Sequence, residues 1–321
     1  MEVRGLGNSG LFVSRFGLGT MTWGRDTDIH EARDQFNIYY DAGGRFIDTA
    51  DVYADGISEE IVGEFLREHP DVIVSTKAGS VRGPRRRNTS RGHMLSALDG
   101  SLRRLRRSHI DLWNVHAWDP NTPLEETLSA IDYAITTGRV RYAAVSNYSG
   151  WQLADAARTQ ELLSHASPLV ATQMEYSLVQ RGIEREVIPA AIAHGIGVVA
   201  WSPLGRGVLT GKYRHATPAD SRAASTHFAS FVSPYLAERP RAIVDAVCMA
   251  ADGLGMSPID VALAWVTSRP QVASAIVGAR TASQLRAILA GSNAQLPHEI
   301  NEALDEVSAP ERSYPEYGWN Q

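Results

Sequence analysis

Four residues with complementary chemistry follow one another in the first part of the chain: Asp48, Tyr53, Lys77 and His116. They supply a carboxylate, a phenol, an amine and an imidazole, a set suited to giving a proton to an oxygen. A free phenol has a pKa of about 10 and is a weak but usable acid at neutral pH. A neighbouring ammonium stabilises the phenolate and lowers that value, while a carboxylate holds the ammonium charged and in place. A neutral histidine can orient a carbonyl and stabilise the negative charge growing on its oxygen. In this reading Tyr53 is the proton donor, Lys77 its activator, Asp48 the partner of Lys77, and His116 the polarising group. An oxygen that gains both a proton and stabilisation implies a nucleophile reaching its carbon, and hydride is the natural candidate. Each residue alone also has a structural reading: a cap, a packed aromatic, a salt bridge, a core histidine.

Position separates the two readings. Eight short β-rich runs are predicted as strands: Phe16–Thr20, Phe46–Ala50, Val72–Lys77, Ile110–His116, Tyr142–Ser146, Ala171–Glu175, Gly197–Trp201 and Ala273–Val277. Amphipathic stretches lie between them, among them Ile29–Ala42, Met94–Leu105, Leu124–Thr137 and Arg185–His194. Asp28 precedes the first as an N-cap, and Gly43 and Gly138 follow the ends of two. The last interval is about twice the length of the others; it holds a loop-like stretch, Gly205–Pro234, and helices around Ala237–Gly253 and Pro258–Ser268. Uninterrupted βα alternation implies a parallel sheet, and eight strands close a (β/α)₈ TIM barrel of the α/β class. From alternation alone an open doubly wound sheet also fits. In a barrel the carboxyl ends of the strands form the active-site rim, which is where the four residues fall. A small hairpin over Val3–Leu11 and a final helix over Pro297–Val307 with an aromatic tail complete the chain, and no linker divides residues 1–321.

Composition agrees. Of 321 residues, 44% are hydrophobic and 21% charged, the balance of a packed domain. A net charge of −5 points to neither nucleic acid nor an anionic membrane. The one cysteine, Cys248, excludes an internal disulfide and reads as packing in a buried helix, as expected of a cytoplasmic protein. No apolar run reaches membrane-spanning length and no leader is read at the start. A homo-oligomer is compatible with the sequence.

Gly5-Leu6-Gly7-Asn8-Ser9-Gly10 matches the spacing of a dinucleotide fingerprint, but only four residues precede it and extended chain follows. The fingerprint works between a buried strand and a helix, so a glycine turn is the reading adopted. Arg82, Arg85, Arg86, Arg87 and Arg91 lie in or beside the loop after the third strand, either as a solvated loop or as a site for a phosphorylated or nucleotide-linked substrate. Arg103, Arg104, Arg106 and Arg107 suit a helix C-terminus. Trp23, Trp118, Tyr314, Tyr317 and Trp319 are candidates for an apolar pocket wall. His109, His165 and His194 lack partners at metal-ligand spacing, so no metal site is expected.

Further motifs follow in order: Gly17-Leu18-Gly19-Thr20, Val145-Ser146-Asn147, Gln173 with Glu175-Tyr176, Trp201-Ser202-Pro203-Leu204, Gly207 to Tyr213, and Gly278-Ala279-Arg280-Thr281. With the four residues above, they make the chain resemble the aldo-keto reductases from end to end. The resemblance implies a (β/α)₈ barrel and a catalytic tetrad of Asp48, Tyr53, Lys77 and His116. It implies a nicotinamide cofactor, NADP(H) rather than NAD(H), near Gly19, Thr20, Met21 and Asp48. Ser146, Asn147 and Gln173 would hold the carboxamide, and Tyr176 would stack on the ring. Trp201, Ser202, Pro203, Leu204, Gly205 and Gly207, with Lys212, would wrap the pyrophosphate, and Arg222, ten residues after Lys212, has the spacing either of a further phosphate contact or of a solvated surface arginine. Gly278, Arg280 and Gln284 would meet the adenosine, Arg280 pairing with a 2′-phosphate. The family often has Glu and Asn where this chain has Ala287 and Ile288, so adenine recognition should be weaker or rearranged. Reduction of a small-molecule carbonyl is the expected activity. The competing readings are a redox-sensing subunit resembling the β subunits of voltage-gated potassium channels, and a lyase in which Lys77 forms a Schiff base.

Overall fold

Runs rich in Val, Ile, Leu and Ala, buried on both faces, form the strands of this protein, as in parallel sheets covered by helices. The computed structural model describes residues 1–163, 167–214, 216–217, 222–224 and 229–311. Two short strands, β1 (Val3–Gly5) and β2 (Phe12–Ser14), pair antiparallel as a hairpin. Eight more make the barrel: β3 (Phe16–Gly19), β4 (Phe46–Asp48), β5 (Ile73–Ala78), β6 (Ile110–Val115), β7 (Val140–Ser146), β8 (Leu169–Glu175), β9 (Gly197–Trp201) and β10 (Val272–Val277). All their pairings are parallel, and β10 returns to β3 to close the ring. Closure decides against the open sheet, because every strand has two neighbours.

Helices alternate with the strands, and their ends carry the expected chemistry. Helix Ile29–Asp41 begins at Asp28, whose side chain accepts from the N–H groups of His30 and Glu31. Its buried residues Ala32, Gln35, Phe36 and Tyr39 fall on one face at helical spacing. Tyr39 reaches under the sheet and its hydroxyl bonds to the backbone of both Phe16 and Phe46, tying β3 to β4. Between β9 and β10, helices Glu238–Leu254 and Pro258–Thr267 meet at a left-handed Gly255 and a Ser257–Asp260 capping box.

The glycine-rich segment closes the barrel's far end. Leu6, Leu11 and Val13 pack beneath Phe46, Leu112, Ala144, Val170 and Val199. Gly7 has φ +57°, and a Cβ there would lie 2.4 Å from the carbonyl oxygen of Val170, so only glycine fits. This turn stands at the amino ends of β8 and β9, opposite the rim, which excludes a nucleotide fingerprint. Cys248 is buried in helix Glu238–Leu254. Arg104 pairs with the buried Glu59, and Arg107 donates to the backbone of Val72.

Candidate active site

The carboxyl end of β4 presents Asp48, and Ser75 of β5 lies in register beside it. Lys77, two residues on, projects to the same face. Its ammonium donates to Asp48 Oδ2 at 2.5 Å, to the Thr49 carbonyl at 2.8 Å and to the Tyr53 hydroxyl at 3.5 Å. Three donors thus meet three acceptors. Asp48 also accepts from Ser75 Oγ and Gln173 Nε2, each at 2.8 Å. The side chains of Lys77 and Asp48 are 2% and 4% exposed. Tyr53 is returned over this pair by a tight turn in which Ala54 and Asp55 adopt left-handed backbone. Its ring stands edge-on to His116, 6.1 Å between centroids.

Burial governs the protonation states. It pushes the Tyr53 phenol above its ordinary range, with Asp48 and Asp51 adding to the rise and Lys77 opposing it. This corrects the sequence expectation of a net lowering: the ammonium limits the rise but does not reverse it. Burial pulls Lys77 down, but the Asp48 charge, Tyr53 and their hydrogen bonds more than offset it, so the amine stays charged. His116 is pushed down to about 3 by burial, helped by the charges of Lys77 and Arg87, and is neutral at physiological pH. Its Nδ1 is buried without a partner among the described residues. The site therefore pairs a protonated phenol with a neutral imidazole above a closed ion pair.

From these groups a cleft of about 540 Å³ runs across the rim to β10. Gly19, Thr20, Met21, Ser146, Asn147, Gln173, Trp201, Ser202, Pro203, Leu204, Gly207, Lys212, Gly278, Arg280 and Gln284 line it with Asp48, Tyr53, Lys77 and His116. Near His116 the wall consists of neutral hydrogen-bonding groups. Asn147 donates to Ser146 Oγ and to the His116 carbonyl and accepts from Trp201 Nε1. Toward the far end stand Lys212 and Arg280, and among the described residues neither pairs with a carboxylate. Gly207, at φ +97°, leaves the wall beside Lys212 open. Neutral polar groups at one end and cations at the other fit an elongated phosphorylated ligand such as a dinucleotide.

Several expected residues lie elsewhere. Tyr176 follows β8 on the outward face; it is 1% exposed, packs on Trp265 and donates to Glu184. Trp201 lines the cleft instead and lies parallel to Phe231. Gly205 does not reach the cleft, because it turns inward against Val179. Trp23 is fully buried, donates to Gln35 and packs on Phe65, so it belongs to the core and not to a pocket wall. Trp118 does not line the cleft; it packs edge-on against Tyr148 and Trp151. The backbone of Arg222 sits in a short 3-10 turn, but its side chain, like His165, Tyr314, Tyr317 and Trp319, lies outside the described residues. His109 and His194 stand beside Asp111 and Glu161, and among the described residues no three metal-ligating side chains cluster. Sequence reasoning missed Arg206, Phe231 and Ile259, which also line the cleft. Ala287 and Ile288 line the cleft as well, and their side chains offer no hydrogen bond.

The Aldo/keto reductase family model matches residues 15–309. The chain belongs to the aldo/keto reductase family. It is 36% identical over 323 residues to a probable voltage-gated potassium channel subunit beta of Oryza sativa subsp. japonica, covering 98% of both chains. A protein of the same description from Arabidopsis thaliana is 37% identical over 294 residues, 89% of each chain. An uncharacterized oxidoreductase, YrpG, of Bacillus subtilis is 36% identical over 338 residues, covering 99% of this chain and 100% of its own. Among the described residues no single helix is long and apolar enough to cross a membrane.

Proposed function

We propose that this protein reduces an aldehyde or ketone to an alcohol with NADPH. The observation that carries the reading is the buried Asp48–Lys77 pair bonded to Tyr53 beside a neutral His116, at the mouth of a cleft that also holds Lys212 and Arg280, cations without a carboxylate partner among the described residues. The nicotinamide, when bound, supplies a hydride. Ser146, Asn147 and Gln173 would hold its carboxamide, Trp201 would face its ring, and Lys212 and Arg280 would meet its phosphates. Arg280 favours the 2′-phosphorylated form.

The protein's own work is on the carbonyl oxygen. His116, neutral, orients that oxygen and stabilises its growing charge by hydrogen bonding. Tyr53 gives the oxygen its proton. Lys77 stabilises the phenolate left behind, and Asp48 keeps the ammonium charged and aimed. Exclusion of water strengthens each of these interactions. Because three acceptors hold Lys77 as an ammonium, a Schiff-base role is disfavoured.

The relatives described as potassium-channel β subunits support a second reading, a nicotinamide-bound sensor with slow turnover. Rapid mixing of the NADPH-loaded protein with 4-nitrobenzaldehyde separates the two. Aldehyde-accelerated loss of NADPH absorbance is expected for the reductase, and a rate equal to that without aldehyde supports the sensor.

A further inference from the structure

We infer that the arginine-rich loop after β5 selects carbonyl substrates bearing a carboxylate or phosphate. The inference rests on the reductase reading and concerns the substrate end of the same site.

β5 lies between β4, whose following turn carries Tyr53, and β6, after which comes His116. The loop leaving β5 is thus flanked by the proton donor and the polarising imidazole. It is also built rather than slack. Ser80 and Arg87 form an antiparallel bridge, Val81 N–H bonds to the Arg86 carbonyl, and Asn88 N–H bonds to that of Gly79. Arg86 is held at φ +56°.

Both flanks tie it down. Arg82 pairs with Asp55 on the Tyr53 turn. Arg85 stands 3.6 Å from Asp119, and Arg87 donates to the Trp118 carbonyl at 3.0 Å, both just past His116. Four arginines therefore meet two carboxylates, which leaves Arg86 and Arg87 as uncompensated charge. Among the described residues neither pairs with a carboxylate. Arg87 is near enough to His116 to help depress the imidazole. Lys77, the cation inside the site, is already engaged by Asp48, while Lys212 and Arg280 stand at the other end of the cleft. An anionic group on the substrate, beyond its reacting carbonyl, would meet these two guanidinium groups, which match carboxylate and phosphate geometry.

The test compares kcat/KM for 4-carboxybenzaldehyde and 4-nitrobenzaldehyde, and for glyceraldehyde 3-phosphate and glyceraldehyde, in wild type, R86Q/R87Q and R86K/R87K. The wild type is expected to prefer the anionic member of at least one pair, and the responding pair identifies the anion. That ratio should fall roughly tenfold or more in the glutamine variant and recover in part in the lysine variant. Because a ratio is read, general damage to the loop cancels. Absence of a preference, or a preference that survives R86Q/R87Q, overturns the inference. Turnover of none of the four aldehydes instead removes the reductase reading and the inference with it.

Discussion

Asp51, three residues beyond Asp48, is partly buried, and its Oδ1 is enclosed with no partner among the described residues. Burial and the nearby charge of Glu59 push it up to about 7, against the opposing pull of Arg104 and Lys77. An unfolded aspartate loses its proton near pH 4. Between there and pH 7 the folded protein keeps a proton that the unfolded chain has released. The stability this group contributes is therefore fully present below about pH 4 and lost as pH rises through about 7. Asp51→Asn removes the cost of burying the charge. Thermal unfolding should show the variant more stable than wild type at pH 8, by roughly 2–4 °C in Tm, with the gap closing at pH 5. An equal shift at both pH values would contradict this account. The four chemical residues were legible because residue type and place at a strand end suffice to suggest them. The direction in which Tyr53 shifts was not, because it depends on desolvation that only the packed structure supplies.

At the scale of elements, the cleft's outer wall is held by Arg206. Its guanidinium bonds to both oxygens of Glu175 at the end of β8 and to the Phe231 carbonyl. It also lies 3.7 Å from the centroid of the Phe231 ring and 4.9 Å from that of Tyr235. One side chain thus fastens the loop after β9 to helix Ala229–Val232, whose Phe231 backs Trp201. Arg206→Ala should weaken NADPH binding about tenfold, since it unpairs a part-buried carboxylate and frees the wall. Fluorescence titration reads the effect, and an unchanged dissociation constant would count against the latch. Sequence reasoning saw the loop but not its fastener, because Glu175 and Phe231 are brought to Arg206 only by folding. The choice of Tyr176 over Trp201 fails for a related reason. Side chains alternate along a strand, so Gln173 faces the cleft while Tyr176 falls on the opposite side against Trp265.

For the whole molecule, alternating strand and helix patterns sufficed to place all eight barrel strands, with ends differing by two residues at most. The glycine turn was separable from a nucleotide fingerprint because its sequence neighbours are wrong for one, and Gly7 at the barrel floor supplies the physical reason. Trp23 was less legible. The loop after β3 starts at the rim, but a bond from Trp23 N–H to the Thr20 carbonyl folds it back and sends the indole into the core. The barrel's division of labour, a sealed floor and a polar rim, gathers the proposed chemistry at one end. That chemistry is tested most directly with NADPH deuterated on both faces of the nicotinamide's reactive carbon, mixed with an aldehyde in a single turnover. Mass spectrometry of the product should find one deuterium on the carbinol carbon, with Tyr53→Phe forming the alcohol roughly 10²–10⁴-fold more slowly. Alcohol without deuterium, or equal rates in wild type and Tyr53→Phe, would contradict the account.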